Sequence, residues 1–250
     1  MNHHICLLGA TGATGRLVMQ QLLQRNCFVT AIVRNKASLD ESMRRHPQVT
    51  FIEAEISHLT VNELADQLTD CDTVISCLGH RLSFSGIWGK PRRLVTDAIE
   101  KSVAAIRQAR PHTDTKIILM NTVGNAHRGI PEKPPFSQRA VVWLLRYLVP
   151  PHADNEQAAE FLRKNIENSD NSDNSDNHLS YVIVRPDSLT NDDHVSDYTV
   201  HPSPTRNAIF NSGRTSRINV ANFMAELTTN NELWQQWQGH MPVIYNTTDS

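Results

Sequence analysis

No apolar run in the chain approaches the ~20 residues that a membrane helix needs, and no segment has the charged and apolar regions of a signal peptide. A soluble, cytoplasmic protein is the expectation. Charge of one sign is also lacking: the formal net charge is -2 over 250 residues, too small a field to draw nucleic acid or a membrane surface as the main partner. A small-molecule substrate is expected instead. Cysteine is scarce. Cys6, Cys27, Cys71 and Cys77 lie in or beside apolar runs, none in a C-x-x-C pair and none near a matching His pair, so reduced, buried thiols are expected and no metal site. His3 and His4, adjacent at the start, read as a frayed end.

What is present is an alternation. Apolar runs rich in branched residues stand at 5–9, 27–34, 49–54, 73–79, 116–121 and 179–185, and helical periods fall between them at 14–25, 37–45, 61–69, 91–109 and 154–166. Continuous apolar strands separated by helices predict a parallel sheet covered on both faces, because parallel pairing requires a crossover. The expected fold class is therefore α/β, a doubly wound, Rossmann-like and mostly parallel sheet, in one domain spanning 1–250. Past the sixth strand, 186–217 reads as irregular, then a helix at 219–228 and a last strand at 242–246 follow. This C-terminal third is expected to form a small substrate-facing lobe.

Two segments have no place in that alternation. Residues 167–177, ENSDNSDNSDN, offer nothing to bury and lack the Gly and closing Glu of a calcium loop, which predicts a solvated, mobile insertion. The Pro-rich stretch 122–153 surrounds a short apolar helix. Long loops at the carboxyl ends of parallel strands are where a ligand's reactive end is expected.

The turn GATGATG, Gly9 to Gly15, follows the first strand and opens a helix, the context that makes a glycine pattern a dinucleotide site. Gly9 permits the tight turn, Gly12 lets backbone approach a pyrophosphate, and Gly15 lets helix and strand pack closely. The helix N-terminus then faces the phosphates. No Lys-Ser or Lys-Thr follows the last glycine, which excludes a nucleotide kinase or ATPase loop. At the end of the second strand, where an NAD site places a carboxylate for the ribose 2'-hydroxyl, stand Arg34, Asn35 and Lys36. Arg34 matches a 2'-phosphate in charge and geometry, with Lys36 as a second positive charge, so NADP(H) is the expected cofactor.

With these residues placed, the chain resembles the atypical short-chain dehydrogenases/reductases of the NAD(P)H-binding, NmrA-like group, and within them the NADPH-dependent flavin reductase/biliverdin reductase B type. The resemblance runs through GATGATGR, AIVRN, AEI, TVISCLG, IILMNTVG, SYVIVRPDSL, DYTV and GRTSRINVANFM. It implies that Gly9, Thr11, Gly12, Ala13, Thr14 and Gly15 hold the pyrophosphate and Arg34 the 2'-phosphate. Glu55 and Ile56 fall at adenine, and Cys77, Leu78 and Gly79 on the cofactor side of the fourth strand. Thr122 stands where the group has a Ser beside the nicotinamide, in an orienting role, and Pro186 and Ser188 border nicotinamide and substrate.

The departures are as informative. Alcohol-oxidising relatives use a Tyr with a Lys four residues on, which lowers the phenol's pKa. Here Tyr147, Tyr181, Tyr198 and Tyr245 are followed at that spacing by Pro151, Arg185, Pro202 and Asp249. The His residues that flavin and biliverdin reductases place near the acceptor align with Asn155 and Ser188. Three readings stay open: an NADPH-dependent reductase of a flavin, quinone or similar conjugated acceptor, a non-catalytic NADP(H)-sensing regulator, and a sugar-nucleotide or alcohol dehydrogenase/epimerase.

Overall fold

The structure, a computed structural model, describes residues 2–80, 92–125, 150–166, 178–206 and 212–247. In chain order its elements are β1 (His4–Leu8), α1 (Ala13–Gln24), β2 (Phe28–Val33), a 3-10 turn at Lys36–Ser38, α2 (Glu41–Arg44), β3 (Val49–Glu53), α3 (Val61–Leu68), β4 (Thr73–Ser76) and α4 (Leu94–Ala109). Then come β5 (Thr115–Met120), α5 (Pro150–Ile166), β6 (Leu179–Pro186), β7 (Ser188–Thr190), β8 (Tyr198–His201), β9 (Arg214–Ser216), α6 (Arg217–Thr229), α7 (Asn231–Trp237) and β10 (Val243–Asn246).

Successive side chains of a strand point to opposite faces, so a strand apolar at every position must be covered twice. In β1, Cys6 and Leu8 join one buried cluster while Ile5 and Leu7 join the other. β5 and β6 divide in the same way, Ile117 and Ile183 to the first cluster, Ile118 and Val182 to the second. The first cluster is closed by Leu64 and Leu68 of α3, Ile99 of α4 and Leu162 of α5. Val18 and Leu22 of α1, Phe223 of α6 and Trp234 of α7 close the second.

The main sheet has the order β3-β2-β1-β4-β5-β6-β10-β8. Its pairs are parallel except β10 with β8. The fold is thus α/β, Rossmann-like and doubly wound. Chain order reverses between β1 and β4, and the crevice outside their carboxyl ends is where such sheets bind ligands.

Four local expectations differ from the structure. The helix expected at 37–45 is a 3-10 turn, opened by Asn35, which accepts from the Ala37 N–H at 2.8 Å, and then one turn of helix; the backbone is extended at Leu39 and Asp40 between them. The 186–217 stretch contains β7, β8 and β9, with β7 and β9 forming a separate parallel pair. α7 was not anticipated: only seven residues long, it is opened by Asn230, whose side chain accepts from the Leu233 N–H, and buries Trp234 and Trp237. His4 is not frayed but opens β1, its ring stacked on Phe28 at 4.9 Å, with His3 3.6 Å from Asp72.

The 167–177 insertion and most of the Pro-rich stretch, 126–149, lie outside the described residues. Among the described residues no helix is long and apolar enough to cross a membrane.

α7 holds its place through apolar burial, with Trp234 only 3% exposed and its ring under the Lys116 ammonium at 5.0 Å. Trp234→Ala is expected to lower unfolding free energy by about 3–5 kcal/mol, measured by urea unfolding.

Candidate functional site

The carboxyl end of β1 is shaped by three backbones in near contact. Gly9 has φ +80°, and a Cβ there would lie 2.7 Å from the Cys77 carbonyl carbon. A side chain at Gly15 would meet the Gly9 carbonyl oxygen at 2.1 Å, less than any real contact allows. Both positions therefore require glycine, one for its left-handed backbone and for space, the other for space alone. The Gly12 N–H donates to the Gly9 carbonyl at 3.0 Å, and Gly12 then caps α1 with no side chain on the cap and no acid in the first turn. The first N–H groups of the helix, at Ala13, Thr14 and Gly15, are thus left for an anionic ligand. In contrast, α3 carries a full capping box of Thr60 and Glu63.

Beside this turn lies a cavity of about 220 Å³ between the carboxyl ends of β1, β2, β3 and β4. The structure gathers nine of the expected residues on its wall: Gly9, Thr11 and Gly12 on the turn, Arg34 after β2, Glu55 and Ile56 after β3, and Cys77, Leu78 and Gly79 after β4. Burial pushes the Cys77 thiol up to about 12, so it lines the cavity uncharged.

The two cations expected at the end of β2 have different surroundings. Arg34 is exposed and makes no hydrogen bond or ion pair with the described residues. Lys36 instead pairs with Glu53 at 2.9 Å and is absent from the cavity wall. The hydrogen bond from Lys36 holds the Glu53 carboxyl below its ordinary value.

A residue that sequence reasoning missed shapes the far wall. The Lys101 ammonium, reaching from α4, donates to the carbonyls of Ile56 at 2.9 Å, Ser57 at 3.1 Å and Leu59. Three donors meet three acceptors. This fastens the loop after β3, including Ile56 on the wall, to the helix that contributes Leu94 to the same wall.

The remaining expected residues form a second group, at the carboxyl ends of β5 and β6. Thr122 is half-buried, and its N–H donates to Asn121 Oδ1 at 2.8 Å. Asn121 Nδ2 donates to the Asn155 carbonyl at 2.9 Å, and the Val123 N–H donates to the Pro186 carbonyl at 3.1 Å. Thr122, Asn155 and Pro186 are thereby tied together. Ser188 is exposed at the start of β7, its N–H held by Asp187 Oδ1 at 2.7 Å. No hydrogen bond connects Ser188 to Thr122 or Asn155.

Two buried charged groups set the frame of this second cluster. The side chain of Arg185, fully buried, donates to the carbonyls of Met241 at 2.7 Å, Asn125 at 2.8 Å and Pro202 at 3.3 Å. Asp187 accepts from the Gly213 N–H at 2.9 Å, while its burial raises the carboxyl above its ordinary value. Further in, Asp154 of α5 accepts from the N–H groups of Val95 and Thr96 at 2.8 and 2.9 Å. It caps α4 from a distant helix, since Arg93 at the N-cap supplies no side-chain bond. His80 Nε2 stands 2.8 Å from the same carboxylate. Arg185 and Asp187 lie within the stretch SYVIVRPDSL, where only their polarity beside an apolar run could have marked their roles, and Asp154 and His80 stand in no motif.

The described tyrosines are wholly or partly buried. Tyr181 is 1% exposed in the core, and burial pushes the Tyr198 phenol up to about 12 while its hydroxyl donates to Glu226 at 3.1 Å. Burial also raises Tyr245, and Tyr147 lies outside the described residues. Among the described residues no cluster of three His, Cys, Asp or Glu stands together to hold a metal.

Comparison with known proteins agrees with this geometry. The profile of a family described as NAD(P)H-binding matches residues 9–231. Among curated proteins none matches the chain. Solved structures share the fold. A short-chain dehydrogenase/reductase from Veillonella parvula, in complex with NADP, is 16% identical with a TM-score of 0.69, covering 99% of this chain and 96% of its own. A Streptococcus pneumoniae protein with the provisional name NADH-flavin reductase is 16% identical, TM-score 0.63, over 98% of this chain and 100% of its own. A Bacillus halodurans protein provisionally named NAD-dependent epimerase/dehydratase is 20% identical, TM-score 0.64, over 98% and 94%.

The Lys101 anchor yields a direct test. Lys101→Met removes three charge-assisted bonds and frees the loop at Ile56, so affinity for a nicotinamide adenine dinucleotide is expected to fall about tenfold or more. Affinity for the mononucleotide, which has no adenine, should stay near wild type in the same calorimetric titration.

Proposed function

The chain belongs to the NAD(P)H-binding family, and from that premise we propose that it is an NADPH-dependent reductase of the atypical short-chain dehydrogenase/reductase type. Within that type we group it with the NmrA-like proteins, nearest the flavin reductase/biliverdin reductase B kind. The acceptor is a flavin, a quinone or a similar conjugated small molecule.

The observation that carries this reading is the exposed Arg34 on the cavity wall, without a partner among the described residues, next to a glycine turn whose helix start has no side-chain cap. The turn fits a pyrophosphate: glycine at positions 9 and 15, where a Cβ would strike backbone, lets β1, α1 and β4 close together, and the N–H groups of Ala13, Thr14 and Gly15 open α1 with no side-chain cap. Arg34 is placed to pair with a 2'-phosphate. The fold neighbour from Veillonella parvula was solved with NADP, which supports the same choice. Bound NADPH would supply a hydride.

Reaction class follows from what the residues can do. Alcohol oxidation needs a phenol that exchanges a proton near neutral pH, and burial raises both Tyr198 and Tyr245 away from that range. Reduction of a planar conjugated acceptor asks mainly for orientation and exclusion of water. Thr122, held by Asn121, and the Pro186–Ser188 stretch, held by the Val123 N–H on Pro186 and by Asp187 on Ser188, are the groups we assign to that orientation. Asn155 borders the acceptor. The provisional flavin reductase name of the Streptococcus pneumoniae neighbour is in keeping with it.

Two measurements test the proposal. Arg34→Asp replaces attraction for the 2'-phosphate by repulsion, so NADPH affinity should fall by about 100-fold or more while NADH affinity changes little. Equal loss for both would remove Arg34 from the 2'-phosphate site. Oxidation of NADPH is then followed with a panel of flavins and quinones. Turnover above background is expected, whereas tight NADPH binding with no acceptor reduced would favour a sensor of the dinucleotide.

A further inference from the structure

β4 and β5 are neighbours in the sheet, and their carboxyl ends are joined by one polar assembly. His80 follows Gly79 of the cavity wall, and its side chain is 7% exposed against 0% for Asp154. Asp154 Oδ1 accepts from the Thr96 N–H at 2.9 Å and from Thr96 Oγ1 at 2.6 Å. Oδ2 accepts from the Val95 N–H at 2.8 Å and faces His80 Nε2 at 2.8 Å. A carboxylate only accepts. The ring must therefore present its N–H at Nε2, and the second proton that it carries when charged sits on Nδ1.

Capping of α4 does not require His80, because Val95 and Thr96 already satisfy both carboxylate oxygens. Nδ1 has no hydrogen bond to the described residues. The next residue after Asp154, Asn155, has a buried Oδ1 with no partner, and its carbonyl accepts from Asn121, which holds Thr122. An imidazole oriented by a buried carboxylate, its Nδ1 and the Asn155 amide oxygen both unbonded among the described residues, thus lies on one connected path from beside the cavity wall to Thr122. Such spare capacity is what a ligand would complete.

We propose that His80 is a catalytic residue, delivering from Nδ1 the proton that the acceptor needs, with Asp154 as the positioning residue that fixes the ring. The proposal rests on the reductase reading and narrows it to acceptors with a conjugated carbonyl, an enone or a quinone. The acceptor's conjugated carbon gains a hydride from the reduced nicotinamide, its π electron pair moves to the carbonyl oxygen, and that oxygen forms an O–H bond as the Nδ1–H bond breaks. The cofactor leaves oxidised by two electrons, and the ring recovers its proton from solvent. This fills the place of the Tyr–Lys pair with an Asp–His pair.

The test uses the full chain, NADPH and menadione as probe. His80→Gln keeps an N–H for Asp154, and so the α4 cap, but cannot release a proton. Its kcat with menadione should fall about 100-fold or more, with NADPH affinity within about twofold and with loss of the solvent deuterium isotope effect seen in wild type; added imidazole should restore part of the rate. Independently of turnover, the Nδ1 resonance of His80 should shift when menadione is added to wild-type protein saturated with NADP+. Unchanged kcat and isotope effect in His80→Gln, or an Nδ1 resonance that does not move, overturns the proposal. Wild-type turnover of flavins with none of menadione overturns it while leaving the reductase reading standing; no turnover of any acceptor overturns both.

Discussion

The carbonyl of Gly9 is the point on which the arrangement turns. It accepts from Gly12, lies 2.1 Å from where any side chain at Gly15 would be, and belongs to a residue whose own missing Cβ leaves room for the backbone of Cys77. The first strand, the first helix and the fourth strand can converge only because nothing heavier than hydrogen stands between them. That convergence puts the uncapped start of α1 over the crevice where sheet order reverses, and the same crevice is where the residues after β2 and β3 arrive. A single bulkier residue here would separate helix from sheet and widen the turn, which links the tolerance of backbone packing directly to ligand geometry.

A second constraint operates one strand further along, and it is polar rather than steric. Asp154 comes from a helix 58 and 59 residues after the N–H groups that it satisfies. By closing the start of α4, it fixes Leu94 on the cavity wall, and through the following residue it reaches Asn121 and the loop carrying Thr122. Lys101, farther along α4, then holds the loop after β3. One helix therefore joins the loop after β3 to the opposite end of the crevice, with charged groups at buried or half-buried positions whose bonding capacity is filled.

These two constraints explain which features were legible in the sequence. The glycine turn was, because all its parts fall within seven residues and each has a local reason. The strands were as well, since a parallel strand covered on both faces is apolar at every position. Arg34 could be placed by its distance from the second strand alone. Arg185 could not: it sits in an apolar run, and its partners Asn125 and Met241 are 60 and 56 residues away. β7 and β9, three residues each, carry too little periodicity to separate from loop, and α7 is too short for a helical period to emerge around its two tryptophans. Extended backbone at Leu39 and Asp40 interrupts a helix that periodicity alone would have continued.

The same division separates the two ends of the crevice chemically. The end of the crevice at β1 to β4 is built largely from backbone and from residues adjacent to strand ends, so its chemistry can be read one segment at a time. At the other end, each group is held by a buried neighbour that is itself tied to a distant part of the chain: Thr122 by Asn121, which bonds to Asn155 of α5, and Ser188 by Asp187, which accepts from Gly213. A side chain held in this way gains fixed direction, and it is direction, more than intrinsic acidity, that a hydride transfer between stacked planar groups requires. Burial pushes the Tyr198 phenol up to about 12, away from the range in which a proton is exchanged readily near neutral pH, whereas an imidazole is the side chain whose ordinary range lies there. His80, held by Asp154 at 2.8 Å where the ends of β4 and β5 meet, supplies the imidazole.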